Sequence, residues 1–169
     1  KHMKKSTTRQ KKRATRPVVG TSRKDFNFAS IRNAALLLPQ ASESARNGFL
    51  DTLAKEIVRA EKKILAANTL DVRDAVKKGL PHAFVERLIL DKKGIRLLTL
   101  KLKDIKKLES SLGEVIEQRK EKAGFVLKKV RVPLGVLLVI YEARPEVTID
   151  VAALCVKSGN AAILKGGSE

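Results

Sequence analysis

Two short stretches near the end of the chain concentrate groups able to bind or polarise a ligand. The first, Tyr141-Glu142-Ala143-Arg144-Pro145, sets a phenol, a carboxylate and a guanidinium directly after an apolar run. Arg144 has the planar fork that grips a phosphate or carboxylate bidentately; equally, Glu142 could pair with it and simply fix the Pro145 turn. The second stretch, Lys165-Gly166-Gly167-Ser168-Glu169, follows another apolar run. Its glycines let backbone approach a ligand closely, its lysine adds a mobile positive charge, and Ser168 brings a hydroxyl and a helix-starting N–H. That composition reads either as a phosphate or ribose cradle or as a plain turn between a strand and a helix. Neither G-x-G-x-x-G nor G-x-x-x-x-G-K-[ST] occurs. A nucleophile is harder to find: Cys155 is the single cysteine, falls on the apolar face of an expected helix, and has no neighbouring histidine to activate it. One cysteine and two histidines also exclude an internal disulfide framework and a zinc ribbon or finger built from this chain alone, and no metal site is expected.

Hydrophobic periodicity supplies the elements that must position these groups. Val136 to Tyr141 is apolar throughout, and a strand with no polar face must be covered on both sides, the condition of a central strand in a parallel sheet. Residues 146 to 158 place Val147, Val151, Leu154 and Cys155 on one face of a helix closed by Gly159, and Ala161 to Leu164 make a second buried strand. Strand, helix, strand is a right-handed crossover unit of the kind nucleotide-binding sheets use. Both reactive stretches then lie at the carboxyl ends of its strands, where open parallel sheets bind ligands. Upstream, Ile31, Ala34, Ala35 and Leu38 recur at helical spacing until Pro39. Ser42 or Ser44 caps a second helix with Phe49, Leu50, Leu53, Ile57, Ile64 and Leu65 on one face; Asn68-Thr69 reads as a break with a fresh cap, and Gly79 as a stop. Leu80-Pro81 opens another turn of helix, and Asp91 caps a segment in which Ile95, Leu98, Leu102, Ile105 and Leu108 repeat every three or four residues. Between Gly113 and Val132 the charge-flanked apolar runs around Ala123-Gly124 predict an exposed antiparallel ribbon.

A chain of 169 residues, 43% apolar, is long and hydrophobic enough for a real core, and no run approaches the ~20 apolar residues of a membrane span. A cytoplasmic protein that touches no membrane is expected. Aromatics at 4%, with no tryptophan, argue against a module that stacks bases on rings. Of the net charge of +18, ten Lys or Arg and no acid fall in residues 1 to 24, leaving 26 bases against 18 acids beyond. Residues 1–25 are therefore expected to be a basic tail without fixed structure. Its opening Lys1-His2-Met3, with two residues ahead of a methionine, has the look of an extraneous addition. Such a tail is either a solvated extension or an anchor for nucleic acid or an acidic surface, and a basic nucleic-acid-binding or scaffold protein reusing an enzyme segment is the rival reading of the whole. Residues 26–169 divide into a helical part (26–112), a β ribbon (113–132) and a strand-helix-strand part (133–169), an α/β arrangement.

The run from Arg131-Val132-Pro133-Leu134-Gly135 through Tyr141-Glu142-Ala143-Arg144-Pro145-Glu146-Val147-Thr148, continued by Lys157-Ser158-Gly159-Asn160 and Leu164-Lys165-Gly166-Gly167, closely resembles the gamma-glutamyl phosphate reductase (glutamate-5-semialdehyde dehydrogenase) family of the aldehyde dehydrogenase superfamily. Agreement is looser at Ile64-Leu65-Ala66-Ala67-Asn68, Asp71-Val72, Gly79-Leu80 and Glu86-Arg87-Leu88, and absent over residues 1 to 25. The resemblance implies the N-terminal part of a Rossmann-like cofactor-binding domain. It also implies NADPH-dependent reduction of gamma-glutamyl phosphate to glutamate 5-semialdehyde, the second step of proline synthesis. By the same resemblance Ile140, Tyr141 and Glu142 lie along the cofactor, and Lys165, with Gly166, Gly167 and Ser168, holds its adenosine ribose. Many NAD-using relatives carry a glutamate where this chain has Ser168, a departure that suits a 2′-phosphate. Ala143 stands near the place of an oxyanion-stabilising asparagine in the wider superfamily, so that role is unassigned. Arg144 is a candidate for substrate or phosphate. The family's mechanism has a cysteine thiolate displace phosphate and form a thioester that hydride reduces; that cysteine belongs to a second domain absent from this sequence, so the chain alone is expected to be inactive. The 113–132 ribbon resembles the superfamily's dimer-forming arm, implying a homo-oligomer.

Overall fold

A computed structural model describes residues 27–167, in which a helical region leads into two small sheets. Helix α1 (Phe28–Leu37) passes into one 3-10 turn (Leu38–Gln40), where Pro39 withdraws a backbone donor. Ser42 caps α2 (Glu43–Arg59), its hydroxyl accepting from the Ala45 N–H at 3.1 Å, so the earlier of the two candidate serines serves. Three helices follow: α3 (Glu61–Lys77), α4 (His82–Leu88) and α5 (Lys92–Lys107). Asp91 caps α5 as its spacing predicts, accepting from the Gly94 N–H at 2.7 Å, and Gly79 ends α3 with a φ of +70°.

The break expected at Asn68-Thr69 does not occur. Helix α3 runs through both residues, and the interruption falls at Ala60, whose φ of −88° and ψ of 1° separate α2 from α3. Asn68 is buried, and its side chain is occupied elsewhere: the amide donates to the Leu88 carbonyl and the oxygen accepts from the Leu90 N–H, each at 2.8 Å. An asparagine inside a helical pattern here marks a tertiary clamp on the α4–α5 joint rather than a cap.

The main core forms where α2, α5 and α6 (Pro145–Lys157) meet. Helix α5 buries Ile95, Leu98 and Leu102, one stripe at i, i+3 and i+7, against Leu50 and Ile57 of α2 and Ala153 of α6. Truncating a side chain such as Leu102, 1% exposed, costs about 2–5 kcal/mol. Phe49, Leu108 and Leu154, assigned to buried faces by spacing, are exposed instead. Phe49 and Leu154 each neighbour a buried residue, Leu50 and Cys155, from which one step along a helix turns a side chain about 100° away. Leu108 lies just past α5 in extended backbone.

Strands β1 (Val115–Lys120) and β2 (Val126–Val130) pair antiparallel as the expected ribbon, exposed along both strands. Strand β3 (Val136–Ile140) pairs in parallel with β4 (Ala161–Lys165), with α6 as their connection. The cover expected on both faces of β3 is present on one: Leu137 and Val139 are half-buried, whereas Val136, Leu138 and Ile140 are exposed. No helix among the described residues is long and apolar enough to cross a membrane.

Candidate functional site

Parallel register decides what meets at the sheet edge. Because Val136 faces Ala161, the strands finish together with Ile140 opposite Lys165, and the Tyr141 N–H extends the ladder to the Lys165 carbonyl at 3.1 Å. The two stretches singled out by sequence, 141–145 and 165–167, therefore emerge side by side. Ser168 lies outside the described residues, as does the basic tail, so the phosphate and nucleic-acid readings attached to them rest on sequence.

Tyr141 is half-buried, its hydroxyl bonded to that of Thr148 one turn into α6. Its ring lies over Gly166, where an added Cβ would meet the ring at 3.8 Å, so the second loop passes close beneath the first. Beyond Glu142 the chain turns sharply: Ala143, 3% exposed, holds a φ of +47°, and Arg144 precedes Pro145 at the first position of α6. The ion pair weighed between Glu142 and Arg144 does not form. Both side chains are exposed, and that of Arg144 plays no part in capping the helix. Lys165 is exposed as well and makes no ion pair with another described residue.

These loops form one wall of a depression of about 200 Å³. Tyr141, Ala143, Arg144 and Thr148 contribute to it from the first loop and α6, and Gly166 and Gly167 from the second. Its other wall is helical: Asn68 and Asp71 of α3, with Leu88 of α4. In the sequence neither Asn68 nor Asp71 stands out as part of a site. Their spacing of three along α3 puts them on one face, yet only the tertiary docking of α3 brings that face to the sheet edge.

Behind the site, Lys157 in the last turn of α6 is buried with all its donors used, to Glu43 at 2.7 Å, Asn47 at 2.8 Å and the Lys106 carbonyl at 3.1 Å. The hydrogen bond from Lys157 is the chief reason the Glu43 carboxyl titrates below its ordinary value of 4.5. Cys155 is buried on the same helix, and burial pushes its thiol above the ordinary 9.0. It is an unreactive core sulfur. No group of three or more metal-ligating side chains gathers among the described residues.

Fold and site together define a mixed helix and strand protein built toward a parallel strand-helix-strand unit with a ligand-sized depression at its carboxyl edge. No family model matches the chain. It is 44% identical over 138 residues to the gamma-glutamyl phosphate reductase of Xanthomonas campestris pv. campestris, a match covering 82% of this chain and 33% of that protein. The enzyme of the same name from Halothermothrix orenii is 42% identical over 144 residues, 85% of this chain and 34% of the relative. The crystal structure of gamma-glutamyl phosphate reductase from Thermotoga maritima matches with a TM-score of 0.79 and 34% identity, over 83% of this chain and 34% of that one. That from Saccharomyces cerevisiae gives 0.79 and 37%, over 83% and 36%. The chain is homologous to gamma-glutamyl phosphate reductase and spans about a third of the length of the relatives it matches.

Proposed function

We propose that the chain is part of the NADPH-binding domain of a cytoplasmic enzyme of proline biosynthesis. The reaction reduces L-glutamyl 5-phosphate to L-glutamate 5-semialdehyde, with NADPH and a proton consumed and NADP and phosphate released. NADPH supplies the hydride. The observation that carries this reading is the meeting of 141–145 with 165–167 at the carboxyl ends of parallel strands, in a chain 44% identical to such a reductase. The residues there fit a dinucleotide. Gly166 offers backbone without a side chain beside the Tyr141 ring, and Lys165 offers an ammonium that no other described residue engages. Ile140, Tyr141 and Glu142 flank the cofactor from the first strand. Lys165, Gly166, Gly167 and Ser168 hold its adenosine ribose and 2′-phosphate from the second. The exposed β1–β2 ribbon carries assembly into a homo-oligomer.

By itself the chain turns over no substrate, because its one cysteine is buried and its thiol stays protonated at neutral pH. Binding is the test. Calorimetric titration should show NADPH bound more tightly than NADH. Lys165→Ala should weaken NADPH by about ten- to a hundredfold, the worth of a charge-assisted contact to phosphate, and NADH by less. Equal losses for both cofactors would reduce Lys165 to a loop-shaping role, and absence of NADPH binding would defeat the cofactor reading.

A further inference from the structure

Among the described residues, three helical threonines turn their hydroxyls back onto their own helix. Thr52 donates to the Gly48 carbonyl at 2.9 Å, Thr69 to that of Leu65 at 2.8 Å and Thr99 to that of Arg96 at 2.7 Å. Thr148 in α6 does otherwise: its hydroxyl reaches out of the helix to the phenol of Tyr141, 2.5 Å away. The tip of the ring that Thr148 holds is also the part that lies over the second loop. A Cβ at Gly166 would stand 3.8 Å from Cε2 of Tyr141 and 3.9 Å from both Cζ and the phenol oxygen. One hydrogen bond thus fixes the ring edge that faces the Gly166 backbone. The anchor is rigid, because Thr148 is β-branched within a helix and α6 is tied to α5 by the Lys101–Asp150 ion pair at 2.8 Å and by Ala153 in the core. The ring is less so. Tyr141 is half-buried, turns about two side-chain torsions and borders a depression of about 200 Å³, so with its tip untied it is free to leave Gly166 for that space.

We propose that Thr148 is a positioning residue for the dinucleotide: its hydrogen bond holds the Tyr141 ring against the Gly166 backbone and so keeps the two cofactor loops in register for binding. The assignment rests on the cofactor reading above, and in it Thr148 acts through Tyr141 rather than on the ligand. A bond between two hydroxyls does not distinguish a ribose that carries a 2′-phosphate from one that does not. Thr148 therefore serves NADPH and NADH alike, in contrast to Lys165.

The protein contains its own reporter: Tyr141 is its only tyrosine and it has no tryptophan, so the tyrosine band in near-ultraviolet circular dichroism reports whether this one ring is held. Thr148→Val replaces the hydroxyl by a methyl of similar size. It should bleach that band and weaken NADPH and NADH by the same factor, about two- to tenfold in calorimetric titration, the worth of one neutral hydrogen bond. Thr148→Ser, which keeps the hydroxyl, should restore both band and affinity. Tyr141→Phe should weaken the two cofactors as Thr148→Val does, and the double variant should bind no more weakly than either single one, since both remove the same bond. A band or an affinity that survives Thr148→Val overturns the assignment, as do losses that add in the double variant or a serine that restores nothing. Should Thr148→Val fail to fold, Tyr141→Phe decides, and unchanged affinity in that variant overturns the assignment. NADPH binding by the parent that none of these substitutions alters sinks this inference alone, whereas absence of NADPH binding by the parent sinks the cofactor reading with it.

Discussion

At Ala143 a side chain occupies backbone space that usually falls to glycine. Its φ of +47° puts Cβ near the following carbonyl, a strain of about 1–2 kcal/mol, and at 3% exposure the residue has little room to relax. The strain is located where it serves the site, since this turn carries the chain from the end of β3 into α6 and sets Arg144 against the depression. Nothing in the sequence announces it: alanine after Glu142 reads as an unremarkable loop residue, and a positive φ without glycine is imposed by the surrounding fold. The Glu142–Arg144 pair misleads in the opposite direction, because complementary charges two apart in sequence look like partners until that turn separates them. Ala143→Val adds a β-branch to a crowded left-handed position and should destabilise the chain by about 2–4 kcal/mol. Urea denaturation followed by circular dichroism measures it; a midpoint within error of the parent would show that the turn is soft.

Between elements, the apolar stripe of α5 and the caps at Ser42 and Asp91 were legible because they depend on residues three or four apart. Parallel pairing of β3 with β4 was legible too, from two apolar runs joined by a helical one. What long-range contacts decide was not: Asn68 resembles a cap until Leu88 and Leu90 engage it, and Lys157 resembles a solvated lysine until α2 closes over it. That closure has a pH signature. The Glu43 carboxyl titrates below 4.5 in the folded chain, chiefly through its hydrogen bond from Lys157, so the unfolded chain binds the proton more readily. The contribution is therefore complete above the unfolded value and is lost as pH falls through the lowered folded value. Glu43→Gln should reduce thermal stability at neutral pH, with the gap between variant and parent closing as pH falls through the lowered folded value. A gap that stays constant from pH 7 to pH 3 would mean the ion pair contributes nothing beyond packing.

Over the whole molecule, one apolar surface has no cover among the described residues. Val136, Leu138 and Ile140 share a face of β3, with exposures of 41%, 60% and 67%, and β4 pairs along only one side of the strand. An all-apolar strand is the sequence's statement that both faces are meant to be buried, and the relatives, of which this chain spans about a third, are long enough to bury it. In the chain by itself that face, beside a free strand edge, is a template for association. The exposed ribbon β1–β2 is a second candidate surface, and the two can be told apart. Sedimentation velocity of the chain should show concentration-dependent self-association. Leu138→Lys places a charge at the centre of the bare face without touching the core, and should shift the population toward monomer while leaving helix content and thermal midpoint unchanged. Charges introduced at Val126 and Val130 of the ribbon should remove the association that survives Leu138→Lys, the part the ribbon carries. If Leu138→Lys leaves the distribution as it was and the ribbon substitutions abolish association, the ribbon is what joins the copies, and the apolar face of β3 is tolerated in water.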